Sequence, residues 1–193
     1  MKKRVGILAL QGDFEAHSKA LERAGAEPVL VRTAEDLKSI DGLVIPGGES
    51  TTILKLLDFM DLKEPLREFA REKPVFGTCA GAILLAKEVR NPEQESFGLI
   101  DLTVERNGYG RQIDSRVASI HPGSDFEKRA GGGDMEAVFI RAPIIRRAGP
   151  DVSILAEYEG DPVLVEQGKH LVATFHPELT QDSRVHKLFV GKL

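Results

Sequence analysis

The sequence predicts an α/β fold, a three-layer open sandwich in which helices cover both faces of a mostly parallel sheet. In the first half, short apolar runs alternate with amphipathic stretches of helical period. The apolar runs are continuous rather than alternating, which is typical of strands buried on both faces. From Leu99 onward strand follows strand, and Gln167-Gly168-Lys169-His170 is a hairpin signal that predicts antiparallel pairing at the end of the sheet.

The elements follow from these patterns in chain order. In the first half, continuous apolar runs predict strands over Val5–Leu10, Pro28–Val31, Gly42–Ile45 and Pro74–Gly77. Helical period and composition predict helices over Asp13–Ala24, Ala34–Ile40, Ser50–Met60, Lys63–Lys73 and Ala80–Val89. Later strands are predicted over Leu102–Glu105, Arg116–Ile120, Ala137–Ile140, Ser153–Tyr158, Val163–Glu166 and Leu171–Phe175, followed by a helix over Asp182–Val190. Four glycines and scattered charges within His121–Asp134 predict a mobile surface loop, a tolerated insertion.

Length and composition narrow the class of protein. The 193 residues fit one domain over 1–193, long enough to bury about 70% of the unfolded surface. The net charge of −4, with both signs interspersed, gives no basic stripe for nucleic acid and no polybasic membrane anchor. A single cysteine suits a reducing compartment and excludes a zinc site with several thiolates. The apolar run after Met1-Lys2-Lys3-Arg4 is too short for a signal peptide, and a cytoplasmic protein is expected.

The only cysteine, Cys79, lies in Gly77-Thr78-Cys79-Ala80-Gly81, between a predicted strand and a predicted helix. Glycines on both sides allow a sharp, strained turn that leaves the side chain at the apex reachable. The turn also places the sulfur at a helix N-terminus, where free N–H groups and the macrodipole favour a thiolate. The alternative is a cysteine that only fills the core, which is common for free cysteine.

A nucleophilic cysteine needs a base, and the chain offers five histidines. His17 is expected to be a packed or partly exposed residue of a helix stripe, His121 to lie in the glycine-rich segment, and His186 to be solvated. His170 opens the last predicted strand and His176 follows its end. Because about 20 Å of extended strand separates these two, they cannot serve one site.

His176 has a carboxylate close by in sequence. In Thr174-Phe175-His176-Pro177-Glu178, the imidazole and the carboxylate are two positions apart, which puts both on one side of an extended backbone. The carboxylate can accept one ring N–H and leave the other ring nitrogen to take a thiol proton. Together with the cysteine turn, this predicts a triad of Cys79, His176 and Glu178. Taken alone, a His-x-Glu pair fits a structural or surface role equally well.

Pro46-Gly47-Gly48-Glu49-Ser50 follows another predicted strand and predicts donors for a tetrahedral oxyanion. Adjacent glycines let the backbone turn N–H groups into the site, so Gly48 is one expected donor and Ala80, just beyond the nucleophile, the other. The alternative is an ordinary turn in which Ser50 or Thr51 caps the next helix. Because ligands gather beyond the carboxyl ends of parallel strands, this segment and the cysteine turn are expected at one edge of the sheet.

These residues resemble the triad-type (class I) glutamine amidotransferases and, among them, the glutaminase subunits of pyridoxal 5′-phosphate synthases. The resemblance covers nearly the whole chain, in the blocks Leu10–Asp13, Pro46–Thr52, Gly77–Gly81, Glu105–Gln112, Phe139–Pro143 and Thr174–Thr180. The cysteine and His-x-Glu blocks indicate only the superfamily. The Gly-Gly-Glu-Ser-Thr-Thr, Arg-Asn-x-Tyr-Gly-Arg and Ile-Arg-Ala-Pro blocks are more specific to these subunits. The resemblance implies a flavodoxin-like sheet, mostly parallel, with antiparallel C-terminal strands.

The resemblance also implies an activity, the hydrolysis of L-glutamine to L-glutamate and ammonia through a thioester on Cys79. The residues it implies for glutamine binding are Gly47, Gly48, Glu49, Arg106, Ile140 and Arg141. Arginine suits the carboxylate of a free amino acid and glutamate suits its ammonium group. For the two arginines the alternative is a structural ion pair. No cofactor and no metal are implied.

Ammonia is useful only if it reaches a second active site before it is protonated. The resemblance therefore implies a partner, the multimeric synthase subunit of pyridoxal 5′-phosphate synthase, with Gln11 near the docking face. Two other functions stay open. One is a glutaminase of the same superfamily that serves another pathway, such as histidine or cobalamin biosynthesis. The other is a non-catalytic assembly or regulatory subunit, against which the intact triad argues.

Overall fold

The structure, a computed structural model, describes residues 1–107 and 115–193. The strands in these ranges are β1 (Arg4–Leu8), β2 (Glu27–Val31), β3 (Gly42–Ile45), β4 (Val75–Thr78), β5 (Ala86–Arg90), β6 (Ile100–Glu105), β7 (Ser115–Ile120), β8 (Met135–Ile140), β9 (Ile144–Ala148), β10 (Ser153–Tyr158), β11 (Asp161–Gln167) and β12 (His170–Ala173). The helices are α1 (Phe14–Arg23), α2 (Ala34–Leu37), α3 (Ser50–Phe59), α4 (Lys63–Glu72), α5 (Ala80–Leu85), α6 (Ser124–Ala130) and α7 (Arg184–Val190), with a 3₁₀ turn over Pro177–Leu179. Within the same ranges, no helix has the length and apolar character needed to cross a membrane.

The central sheet of the described residues has the strand order β10-β11-β12-β4-β3-β1-β2. From β12 to β2 each strand runs parallel to its neighbour, whereas β10, β11 and β12 pair antiparallel. The predicted class, a mostly parallel sheet with antiparallel C-terminal strands, is therefore confirmed. Smaller sheets are formed by β5-β6-β9 and by β7-β8.

Both faces of the central sheet are covered by helices. Leu43 and Ile45 of β3 face a core shared with α3, α4 and α5, whereas Val44 between them faces a core shared with α1, α6 and α7. Every residue of β3 is buried. A strand buried on both faces cannot alternate apolar and polar residues, and this is why its sequence reads as a continuous apolar run.

The parallel register brings the ends of three strands together. Ala173 of β12 pairs with Thr78 of β4, and Gly77 of β4 pairs with Ile45 of β3. The residues that follow these strands therefore leave the sheet at one edge, as expected for an open parallel sheet. Cys79, His176 and the Gly47-Gly48 segment all lie just beyond that edge.

The helix predicted over Ala80–Val89 is shorter than predicted, because α5 ends at Leu85 and β5 begins at Ala86. The carbonyl of Leu84 accepts from the N–H of Phe97, 2.7 Å away, and β5 pairs with β6. Leu, Ala, Lys and Glu all favour a helix locally, and the tertiary pairing overrides that propensity. The short strand β9, which pairs with β6 on its other side, has no element assigned to it by the sequence.

The prediction of a mobile surface loop over His121–Asp134 is wrong. The segment contains α6, and its Phe126 is fully buried in the core shared with α1, α6 and α7, called the second core below. Arg129 forms an ion pair with Glu166, and the Arg184 guanidinium donates hydrogen bonds to the carbonyls of Gly131–Asp134. Gly123 precedes the helix and the other three glycines form the turn that ends it, so the segment is anchored at both its helix and its turn.

The burial of Phe126 makes a testable difference to stability. Phe126→Ala is expected to lower the free energy of unfolding by about 3–5 kcal/mol, because it leaves a cavity in the second core. Val117→Ala, at an apolar side chain that is 64% exposed, is the matched control and is expected to change it by less than about 0.5 kcal/mol. Urea unfolding of both variants measures the difference. Equal effects would mean that Phe126 is not packed in the core.

Candidate active site

Cys79 sits at the apex of a strained turn between β4 and α5. Its φ is +50° and its ψ is −105°, a backbone conformation that residues other than glycine rarely adopt. The backbone crowds this turn, since a Cβ on Gly81 would lie 2.1 Å from the carbonyl oxygen of Ile45. The glycine two residues beyond the cysteine is therefore required by close approach to β3. The geometry is that of a nucleophile elbow.

His176 and Glu178 meet the cysteine because β12 lies beside β4. The N–H of Cys79 donates to the carbonyl of Ala173 at the end of β12, 2.9 Å away, and the chain then reaches His176. Oε1 of Glu178 lies 2.6 Å from Nδ1 of His176. The Glu178 side chain is 1% exposed and that of His176 is 12% exposed. The three predicted triad residues are thus brought together in the predicted order, thiol, imidazole and carboxylate.

The charges of the triad reinforce one another. Burial alone would lower the pKa of His176, but its hydrogen bonds with Cys79 and Glu178 outweigh burial and raise that pKa to about 10. Burial alone would raise the pKa of Glu178, but the imidazoles of His17 and His176 outweigh it and lower that pKa. Both shifts favour a carboxylate beside an imidazolium. His176 therefore holds a proton at neutral pH and can give it to a leaving group.

A cavity of about 510 Å³ opens onto Cys79. Its lining residues are Gln11, Gly48, Glu49, Ser50, Cys79, Ala80, Ile83, Arg106, Asn107, Ile140, Arg141 and His176. This volume lies in the range of small-molecule sites. Of the residues predicted to contact a ligand, all except Gly47 line the cavity. Gly47 is nevertheless next to the triad, because a Cβ on it would lie 2.6 Å from Cε1 of His176.

Two charged residues of the cavity, Glu49 and Arg106, form an ion pair. Nη2 of Arg106 lies 3.0 Å from Oε1 of Glu49. The Glu49 carboxylate also caps α3, where it accepts from the amides and hydroxyls of Thr51 and Thr52. Burial opposes ionisation of Glu49, but these hydrogen bonds outweigh it and lower its pKa to about 2. The sequence alternative that Ser50 or Thr51 caps this helix is wrong, since the cap is Glu49.

Gln11 holds the glycine segment from the side of β1. Its Oε1 accepts from the N–H of Glu49, 2.8 Å away. Across the cavity, Sγ of Cys79 lies 3.8 Å from the carbonyl oxygen of Ile140, and Arg141 follows with a φ of +44°. Five chain segments therefore converge on one cysteine. Such a cavity, with a nucleophile, an imidazolium and both signs of charge, suits attack on a small zwitterionic molecule.

Comparison with known proteins agrees with this geometry. Residues 7–193 match the sequence profile of the SNO glutamine amidotransferase family. The chain belongs to the SNO glutamine amidotransferase family. The matched residues include the elbow, the His-x-Glu pair and the glycine segment. Of the Arg-Asn-x-Tyr-Gly-Arg block, Gly108–Arg111 lie outside the described residues.

Several similar proteins carry names that describe a synthase subunit or an amidotransferase. It is 66% identical to pyridoxal 5′-phosphate synthase subunit PdxT of Solibacter usitatus, over 99% of this chain and 100% of the relative. It is 57% identical to the subunit of the same name from Koribacter versatilis, over 97% of this chain and 94% of the relative. A crystal structure of a glutamine amidotransferase, 46% identical, superposes with a TM-score of 0.87 over 97% of both chains.

Not every histidine of this SNO glutamine amidotransferase lies where the sequence predicts. His170 stands at the opposite end of β12 from His176, and its Nδ1 accepts from the N–H of Val75, 3.2 Å away. His17 packs in the core, as predicted. The prediction that His186 is solvated is wrong, because α7 buries it completely beside His17. Local sequence offers no signal for that contact, since the two histidines are 169 positions apart.

Proposed function

We propose that this protein hydrolyses L-glutamine to L-glutamate and ammonia through a thioester on Cys79, and supplies the ammonia to the synthase subunit of pyridoxal 5′-phosphate synthase. The observation that carries the proposal is that the strained Cys79 turn and His176, which is paired with a buried Glu178, line the same cavity of about 510 Å³. Family membership and the names of the relatives support the substrate and the partner.

Glutamine is proposed to bind through its zwitterionic head group. The ion pair of Glu49 and Arg106 offers a carboxylate for the ammonium group and a guanidinium for the carboxylate. The ammonium and carboxylate groups of glutamine would replace part of the contact between Glu49 and Arg106. Both side chains would then stay paired with an opposite charge. Arg141 adds a second cation, and the backbone of Ile140 and of Gly47-Gly48 lines the path to the sulfur. The side-chain amide of glutamine then points towards Cys79.

The acylation step uses the proton that His176 holds. Nδ1 of His176 faces Glu178, so Nε2 is the ring nitrogen left for Cys79 and the substrate. The thiolate sulfur attacks the amide carbon, and the oxyanion accepts from the backbone N–H groups of Gly48 and Ala80. Ala80 opens α5, where amides have no partner within the helix. The C–N bond breaks as Nε2 gives its proton to the leaving nitrogen, and ammonia departs.

Deacylation reverses the proton transfer. The neutral imidazole of His176 takes a proton from water, and the resulting hydroxide oxygen attacks the thioester carbon. The C–S bond breaks, glutamate leaves, and the thiolate and imidazolium are restored. One water is consumed for each glutamine. Because the sulfur must stay reduced, we also propose that the protein works in the cytoplasm.

The partner decides which pathway the ammonia enters. Gln11 lines the open side of the cavity, and we propose that it lies at the docking face for the synthase subunit. Ammonia released there would pass between the proteins without meeting bulk water. Relatives that share 57–66% identity with this chain are named as subunits of that synthase, which favours it over the histidine and cobalamin pathways.

The test is glutamate release from glutamine, measured with the chain alone and with added synthase subunits. We expect the synthase subunit of pyridoxal 5′-phosphate synthase to form a complex with the chain and to raise its turnover. Synthase subunits that receive ammonia in histidine or cobalamin biosynthesis are the controls and should do neither. Stimulation by a control, or absence of a complex with the proposed partner, would contradict the pathway assignment.

A further inference from the structure

A row of buried polar side chains continues the triad into the protein. Nε2 of His17 lies 3.5 Å from Oε2 of Glu178, the carboxylate oxygen that His176 does not use. The same nitrogen lies 3.1 Å from Oγ1 of Thr78, the residue before the nucleophile. Nδ1 of His17 lies 3.1 Å from Nε2 of His186. His17, Thr78 and His186 are all fully buried.

The contacts select one tautomer of His17. Burial lowers the pKa of His17 and, to about 3, that of His186, so both rings are neutral. If Nδ1 of His17 held the hydrogen, the proton of His186 would sit on its own Nδ1, which has no hydrogen-bond partner among the described residues. A buried N–H without a partner is costly. A lone pair on His17 Nε2 would then also face the Glu178 carboxylate.

The opposite arrangement leaves neither ring with a buried N–H that lacks an acceptor. His186 donates from Nε2 to Nδ1 of His17, and His186 Nδ1 is left as a bare acceptor. His17 then holds its hydrogen on Nε2, where it points at Oγ1 of Thr78 and Oε2 of Glu178. Within residues 1–107 and 115–193, that buried carboxylate oxygen has no hydrogen-bond partner. The His17 N–H, 3.5 Å away, is the nearby donor that can orient it.

We propose that His17 is a positioning residue for glutamine hydrolysis, whose Nε2–H holds the second oxygen of Glu178 and thereby orients the carboxylate towards His176. The proposal rests on the proposed function for the reaction it serves. The contact links α1 to the catalytic loop after β12. It constrains the carboxylate through an N–H dipole.

Few other charges act on this row. Asp13 and Arg23, at the two ends of α1, are the charged groups besides the triad that influence the buried imidazoles of His17 and His186. Arg23 is occupied by the carbonyl of Thr180, 3.0 Å away. Neither replaces the His17 N–H at Glu178. Without that donor, the Glu178 carboxylate should be held less firmly towards His176. The imidazolium form of His176 should then be less stable.

Two isosteric substitutions separate positioning from packing. In His17→Gln the side-chain amide nitrogen can occupy the place of imidazole Nε2, whereas in His17→Asn it occupies the place of Nδ1 and faces His186. Both remove the ring and disturb packing similarly. We expect His17→Asn to lower kcat for glutamine hydrolysis in the complex by about 10- to 100-fold, the loss for a hydrogen bond to a charged group. His17→Gln should keep most of the wild-type kcat.

A second readout needs no glutamine turnover. Cys79 is the only cysteine, so the rate of alkylation by iodoacetamide reports its thiolate alone. We expect the acid limb of the alkylation rate to move to higher pH in His17→Asn and to stay near that of the wild type in His17→Gln. If the wild type fails to hydrolyse glutamine but this ordering is seen, the proposed function fails and the role of His17 stands.

Two results would overturn the role of His17. One is an equal loss in the Gln and Asn variants, which indicates packing alone. The other is a Thr78→Val variant that reproduces the His17→Asn shift in alkylation, which would show that His17 acts through Thr78 rather than through Glu178. Circular dichroism of each variant verifies that the fold is retained. If His17→Asn does not fold, a folded His17→Gln variant that loses activity overturns the role of His17 by itself.

Discussion

Cys79→Ala is expected to abolish glutamine hydrolysis by the complex, with a loss of about 10⁴-fold or more, while the fold and the complex with the synthase subunit are retained. The reason is that the sulfur is the sole nucleophile in the mechanism, and no other group in the cavity can form the thioester. The substitution removes one buried atom and leaves the strained φ of the turn unchanged. Glutamate release measures the loss.

A matched variant sharpens this result. Cys79→Ser keeps the shape and a hydrogen-bonding atom, yet it should be nearly as inactive, because a hydroxyl beside an imidazolium does not ionise as a thiol does. Complex formation, measured by size-exclusion chromatography, should be the same for both variants and the wild type. Ammonia release that persists in Cys79→Ala would refute the triad.

His176→Asn is expected to lower kcat by about 10³- to 10⁴-fold at neutral pH. The Asn amide can occupy the place of Nδ1 and keep the hydrogen bond to Glu178, but nothing then stands at Nε2 to protonate the leaving nitrogen. Because the pKa of His176 is raised to about 10, the wild type has the required imidazolium at neutral pH and should lose activity as the pH rises through that value. The variant should lack this alkaline limb.

His170→Asn is the control for the choice of histidine. His170 also flanks β12, but it stands at the other end and contacts the backbone of β4. Its substitution should leave kcat unchanged and at most lower the free energy of unfolding. If His170→Asn proved the more damaging of the two, the assignment of the base would be wrong.

The sheet and its active edge could be predicted because their signals are local. A strand covered on both faces must be apolar throughout, as β3 is, and a sharp turn around a lone cysteine must be flanked by small residues. The carboxyl ends of parallel strands necessarily share an edge, so the order of strands did not have to be known to bring Cys79 and the Gly47-Gly48 segment together.

The errors arise where distant pairing overrides local preference. Ala86–Arg90 has helix-forming residues but becomes a strand because β6 offers its edge. The 121–134 segment is rich in glycine, yet it contains a helix because Phe126 packs in the core. His186 follows the same rule, since only the packing of α7 against α1 buries it. The pairing of Glu49 with Arg106, which is 57 positions away in sequence, is another contact that local sequence does not reveal.

The thioester on Cys79 can be detected directly. The wild-type complex is mixed with glutamine and quenched with acid within one turnover, and the chain is digested and analysed by mass spectrometry. We expect a glutamyl group on the peptide that contains Cys79, absent from Cys79→Ala and lost when the reaction is allowed to finish. Glutamate production with no such adduct, or an adduct on another residue, would contradict it.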